Sequence, residues 1–295
     1  MDFPPRAPKI ALPPGVTDCH MHIFGSEDIY PLSPARTYTP PPAPLKRYQA
    51  MTAAVGIQRS VVVQPSAYGT DNRCTLDATE AMGANARAIV GIDASTCDAD
   101  FDAMNARGAR GVRLNAASRG LRDESQLIAL IDATVTRIAR LGWHLQIFTD
   151  VTMIAKLVGH LGALPIPLVI DHMGLADAAR GPDQPEFRAL CELLAAGKCW
   201  VKLSGAYRVS RCEPNFPDAS PIIRALIAAN SDRLVWGSDW PHTAGHGHTP
   251  SASAPPLDYR PIDSAALLEQ LAECAGDAVT LRKILADNPA KLYGF

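Results

Sequence analysis

Eight short runs of apolar, largely β-branched residues recur along the chain, each bounded by turn residues. They centre on Asp18 to Ile23, Ser60 to Gln64, Ala88 to Ile92, Gly111 to Leu114, Trp143 to Phe148, Pro167 to Ile170, Trp200 to Leu203 and Leu234 to Trp236. Runs this short and this continuously apolar predict strands buried on both faces. Nearly all are separated by segments such as Leu127 to Leu141 and Glu186 to Ala195, where apolar residues return at helical spacing and predict amphipathic helices. Strand alternating with helix predicts a parallel sheet covered by helices, either closed into a barrel or open and doubly wound. Eight units favour the α/β class of the closed (β/α)8 TIM barrel, and no G-x-G-x-x-G turn follows the first strand, as an open nucleotide-binding sheet would require.

Two stretches break the rhythm, Gly25 to Pro44 and Trp240 to Pro261, both rich in Pro, Gly and Ser. They follow the first and the eighth strand directly, on the side where barrel active sites are built, so they are expected to be long loops over the barrel mouth. No other change in pattern divides the chain, and residues 1–295 are expected to form one barrel domain.

Composition narrows the partners. The formal net charge is −2 with acidic and basic residues interspersed, so no basic stripe exists to neutralise a row of phosphates, and nucleic acid is not expected. The seven cysteines show no C-x-x-C spacing, which suits reduced thiols. The N-terminus lacks a secretory apolar stretch and no run approaches the ~20 residues that span a bilayer, so a cytoplasmic protein without a membrane partner is expected. Oligomeric state is not legible.

The candidate chemistry lies at strand ends. Asp18-Cys19-His20-Met21-His22 closes the first strand, and a period of two places both imidazoles on one face with Cys19 on the other as a buried thiol. Two histidines in a strand are usually ordinary polar residues. What raises them is convergence: Asp171-His172-Met173-Gly174 closes the sixth strand and Gly237-Ser238-Asp239-Trp240-Pro241-His242 the eighth, equivalent positions on one barrel rim. There is no G-x-S-x-G elbow, which argues against a serine hydrolase. Arginines form a second group. Arg113 lies inside a strand pattern, where an unpaired charge would be costly, so it is expected to face an anion at the barrel mouth. Arg119 and Arg208 follow strands four and seven, and guanidinium forks grip carboxylates bidentately. His246 and His248, in a Ser- and Pro-rich loop, are expected to be solvated; His144 and His160, which show no partner in the sequence, are expected to be structural or exposed.

The ordered segments DCHMHIFG, QPSAYGTDNRCTLDA, GVRLNAASRG, VIDHMG, VKLSGAYR, VWGSDWPH and DNPAKLYGF resemble the amidohydrolase superfamily, and more closely its 2-pyrone-4,6-dicarboxylate lactonase group. The resemblance implies a hydrolase that opens a small carboxylated lactone, of the 2-pyrone-4,6-dicarboxylate or muconolactone kind, in the breakdown of aromatic compounds. It implies Asp239 as the base that activates water, with His20, His22 and His172 donating hydrogen bonds to the ring carbonyl. Tyr38, Ser66, Arg113, Arg119 and Arg208 fall at its substrate-contact positions, and Gln146 and His242 are further candidates for binding substrate.

Metal-dependent members of the superfamily add a lysine at strand four and a histidine at strand five, where this chain has Arg113 and Gln146. Arginine cannot ligate a metal and an amide is a poor zinc ligand, so ligand count and type favour a site without a cofactor; one zinc would fall to His20, His22, His172 and Asp239. Phe148 and Leu175 replace a tyrosine and an arginine of the lactonase group, which leaves the lactone's identity open. The alternatives are a sugar-acid (aldaro) lactone isomerase, a zinc-dependent decarboxylase or hydrolase of the superfamily, and a carboxylate-binding barrel without catalysis.

Overall fold

The computed structural model of the chain describes all residues except 1–3, 119, 246–250 and 255. The expected strands form at β1 (Thr17–Met21), β2 (Arg59–Val63), β3 (Ala86–Val90), β4 (Ala109–Leu114), β5 (His144–Ile147), β6 (Leu168–Ile170), β7 (Trp200–Ser204) and β8 (Leu234–Gly237). They make one parallel sheet in sequential order. The sheet closes where β1 meets the residues after β8: Met21 bridges Trp240, Asp239 N–H donates to His20 O at 2.8 Å, and His22 N–H donates to Trp240 O at 2.8 Å. Gly237 makes this seam possible, since a Cβ there would lie 2.6 Å from the Cβ of His20.

Helices fill the connections, among them α1 (Leu45–Val55), α2 (Arg73–Met82), α3 (Asp98–Ala106), α4 (Glu124–Ile138), α5 (Val151–Gly162) and α6 (Pro185–Ala195). The helix expected to begin at Leu127 begins at Glu124 because the Asp123 carboxylate accepts from Gln126 N–H at 2.8 Å, an N-cap that satisfies an orphan donor. Leu127, Ile131, Val135 and Ile138 are its buried stripe. A 3₁₀ turn over Ala139–Leu141 follows, and Gly142, at φ 66°, ends it.

The layers alternate as a filled barrel demands. Val62, Val90, Val112, Ile147, Ile170 and Leu203 pack outward against the helices, while Val61, Val63, Ile89, Val169, Trp200 and Val235 fill the lower interior together with Tyr293. Cys19 belongs to that interior group, which corrects the expectation that it faces away from the histidines. The reason is a bulge: Asp18 pairs with Ser60 but Met21 with Val62, so β1 carries one extra residue and strict alternation fails between them. The opposite end is plugged by the C-terminus, where the Tyr293 ring meets His144 edge-on at 5.4 Å and Arg87 and Arg59 lie over the Phe295 ring.

The two long loops lean on each other. Thr39 Oγ1 donates to Ala254 O at 2.6 Å, Leu257 N–H to Thr39 O at 3.0 Å, and Ser251 N–H to Arg36 O at 2.8 Å.

Candidate active site

The seam places His20 and His22 beside Asp239, and β6 delivers Asp171 and His172 to the same point. His172 and Asp239 hold left-handed backbone, at φ 50° and 60°, a conformation uncommon outside glycine and typical of functional turns. Beyond β7, Gly205 turns the chain into the short helix α7 (Ala206–Val209), which carries Tyr207 and Arg208.

Asp239 is fully buried and its two oxygens differ. Oδ2 accepts from Tyr207 OH at 2.7 Å and Arg208 Nε at 2.5 Å. Oδ1 accepts no hydrogen bond and faces His22 Nε2 at 3.7 Å and His20 Nε2 at 3.8 Å. Burial alone would raise this carboxyl, but the Arg208 guanidinium leads the groups that outweigh it and hold it well below its usual range. The imidazoles are neutral: burial is the leading cause for each, taking His22 down to about 3, His172 to about 4, and His20 well below its ordinary value.

Neutral rings must divide donor from acceptor. His22 Nδ1 lies 2.7 Å from Val63 O, and a carbonyl only accepts, so the ring proton sits on Nδ1 and Nε2 offers a lone pair to the site. This corrects the expectation that His22 donates to the substrate carbonyl, since its one proton is already used. His172 Nδ1 pairs with Ser204 Oγ at 2.9 Å, and its Nε2 is buried without a partner, like His20 Nε2.

A layer of polar groups lies beneath. Asp171 Oδ2 accepts from Arg113 Nε at 2.9 Å and from Gln146 Nε2 at 3.1 Å. Lys202 Nζ donates to Gln146 Oε1 at 2.7 Å and Cys19 O at 2.8 Å, and burial brings the amine down to about 8. Gln146, expected at the substrate, is wholly buried and both ends of its amide are engaged below the cavity.

Above, Arg113 and Arg208 converge on one ring, their guanidinium carbons 5.2 and 5.9 Å from the centre of Phe148. Each uses only its Nε on an aspartate. Tyr38, Ser66 and His22 line the same small cavity, and burial pushes the Tyr38 hydroxyl up to about 12. His242 does not reach it; its ring packs edge-on to Tyr207 at 6.0 Å and its Nε2 meets Ser264 Oγ at 3.3 Å on the outer side. Arg119, His246 and His248 lie outside the described residues. His144 is buried against the C-terminal plug, and His160 pairs with Asp132 at 2.9 Å.

Asp171, Lys202, Ser204 and Tyr207 stand beside the residues expected at the strand ends. Lys202 carried a usable signal, because a lysine inside the apolar run Trp200–Ser204 faces the same burial cost that singled out Arg113.

His20, His172 and Asp239 each offer a ligand atom within 4.8 Å of the others, and His20 Nε2, His172 Nε2 and Asp239 Oδ1 are buried without hydrogen bonds. Nitrogen and oxygen donors at that spacing match zinc by element type, and each nitrogen would bind only with its lone pair facing the ion.

Comparison with known proteins agrees with the geometry. A family model described as Amidohydrolase matches residues 17–295. The chain is 36% identical over 287 residues to a 4-sulfomuconolactone hydrolase of Hydrogenophaga intermedia, covering 97% of this chain and 91% of that one. It is 33% identical over 302 residues to a 2-pyrone-4,6-dicarbaxylate hydrolase of Comamonas testosteroni, covering 98% and 93%. A D-galactarolactone isomerase of Agrobacterium fabrum is 30% identical over 290 residues, covering 97% and 94%.

Proposed function

The chain belongs to the amidohydrolase family, and from that premise we propose that it is a lactonase that hydrolyses a small anionic lactone. One observation carries the reading: an ionised aspartate with a single free oxygen, Asp239 Oδ1, lies beneath two arginines whose Nη groups make no hydrogen bond among the described residues. Guanidinium forks left open over an apolar ring suit a planar carboxylate, and an accepting oxygen below them suits a water.

In this mechanism Arg113 and Arg208 hold the substrate carboxylate, with Tyr38 and Ser66 at the edge of the ring. A water donates one hydrogen to Asp239 Oδ1 and the other to the His22 Nε2 lone pair, so its own lone pair points at the lactone carbonyl carbon. The water oxygen bonds to that carbon, its proton passes to Asp239, and the carbonyl oxygen becomes anionic beside His20 Nε2 and His172 Nε2. Collapse breaks the bond to the ring oxygen, which takes the proton from Asp239 and leaves as a hydroxyl. An acid as strong as Asp239 returns that proton readily. The low affinity of Asp239 for protons also keeps it ionised at neutral pH, as a base must be.

A zinc bound by His20, His172 and Asp239 would supply Lewis acidity at the carbonyl oxygen. Arg113, Arg208 and Lys202 all disfavour further positive charge at these imidazoles, which supports the reading without one.

The test is turnover of a panel of carboxylated lactones by protein of known metal content, followed by NMR. A ring-opened acid is expected, with activity retained after chelation. The galactarolactone isomerase relative keeps a second reading in view, in which a substrate hydroxyl replaces the water; an isomeric lactone as product would establish it instead.

A further inference from the structure

Lys202 is wholly buried, and no step above uses it. Its Nζ has three polar neighbours within hydrogen-bond distance, Gln146 Oε1 at 2.7 Å, Cys19 O at 2.8 Å and His20 Nδ1 at 3.4 Å, while Asp171 Oδ1 stands farther off at 3.8 Å. The first two can only accept. The amide of Gln146 cannot be reversed, because its Nε2 donates to the Asp171 carboxylate, and reversal would set oxygen against oxygen there and hydrogen against hydrogen at Lys202. An ammonium carries three hydrogens and no lone pair, so the third neighbour must accept as well. His20 Nδ1 then presents its lone pair downward, and the single proton of the neutral ring sits on Nε2.

One group competes. Asp171 Oδ1 lies 3.2 Å from the same Nδ1 and would favour a proton there. That oxygen makes no hydrogen bond that meets the geometry of an Nδ1–H donor, so its pull on the ring is chiefly that of its charge. Asp171 is committed through its other oxygen to Arg113 and Gln146.

We propose that Lys202 is a positioning residue that fixes His20 in the Nε2–H tautomer, making His20 a hydrogen-bond donor at the reaction centre and withdrawing it from any metal-ligand set. A metal needs the lone pair of Nε2, which this tautomer lacks. His22 is set the opposite way by Val63 O, so the two histidines of one H-x-H motif divide the work: His20 donates toward the carbonyl oxygen and His22 accepts from the water. The assignment to carbonyl and water rests on the lactonase reading; the tautomers do not.

The experiment is a long-range ¹⁵N–¹H correlation spectrum of the metal-free, ¹⁵N-histidine-labelled protein at neutral pH, with His20 and His22 assigned through His20→Gln and His22→Gln. Expected are a protonated Nε2 on His20 and a protonated Nδ1 on His22. A protonated Nδ1 on His20 overturns the proposal, and that result does not depend on any Lys202 variant folding. In Lys202→Met the His20 pattern is expected to reverse toward Asp171, and zinc affinity by titration to rise about 10- to 100-fold, the usual reach of a partner behind a metal-binding histidine. For the turned-over lactone, kcat is expected to fall about 100-fold with KM nearly unchanged, as for loss of one oxyanion donor, and Lys202→Arg to restore part of it. An unchanged tautomer and zinc affinity in Lys202→Met also overturn the proposal. Expected tautomers in a protein that opens no lactone would sink the functional reading and leave this one standing.

Discussion

Asp239 and Arg208 are coupled, and the coupling has a sign. Arg208 is the leading group that holds the Asp239 carboxyl down against its burial, so removing the guanidinium raises the carboxyl. Arg208→Gln is therefore expected to move the acid limb of the kcat profile to higher pH, because the ionised base is lost earlier as pH falls. It should also raise KM by weakening the grip on substrate, and a pH series of initial rates reads both. Asp239→Asn is expected to abolish turnover while ligand affinity stays nearly the same, and retained turnover would remove Asp239 from the mechanism. The depressed carboxyl bears on stability too. A group whose folded value lies below its unfolded one stabilises the fold above the unfolded value, about 3.9 for an aspartate, and loses that contribution only as pH falls through the folded value. Asp239 and Asp171 should therefore support the fold at neutral pH and release it only in strong acid, where urea midpoints would fall.

Elements decide where these residues meet, and the β1–β8 seam decides most. Asp18 pins it: its carboxylate accepts from Ser238 N–H at 2.8 Å, Ser238 Oγ at 2.5 Å, His20 N–H at 3.1 Å and Tyr48 OH at 3.0 Å. Asp18→Ala strips four buried donors of their acceptor, and a loss of about 3–5 kcal/mol in urea unfolding is expected from breaking a buried charged network. Gly237→Ala attacks the same seam sterically. The added Cβ would press on His20, and about 1–3 kcal/mol of stability, with a larger loss of turnover, is expected from overpacking. All eight strands were legible because they are short apolar runs between turn residues. The bulge in β1 was not, since nothing in Asp18-Cys19-His20 marks an extra residue, and so Cys19 was placed on the wrong face. The start of α4 was missed because its cap, Asp123, lies outside the apolar stripe that gives the helix away.

At the scale of the molecule, the rim was legible wherever ionisable residues stood at strand ends, which is how His20, His172 and Asp239 came together. The layer below was not. Lys202, Asp171 and Gln146 satisfy one another through pairings between β5, the end of β6 and β7, and no local pattern announces which buried charge answers which. The tyrosine of α7 was missed for the same reason, since its partner Asp239 lies far along the chain. The two mouth loops, in turn, bond to each other through Thr39. Thr39→Val is expected to loosen both together, read as faster limited proteolysis in both loops with global urea stability changed by no more than about 1 kcal/mol.

The seam joins the first strand to the last, and its hydrogen bonds from Ser238 to Asp18 span 220 residues of sequence. Contacts that distant are the slowest to form, because a long stretch of chain must be ordered before they are rewarded. His20, His22 and Asp239 share that span, so the proposed catalytic group is expected to assemble only when the barrel closes. Regained lactonase activity during refolding should then lag the return of helical signal, making enzymatic competence a clock for ring closure.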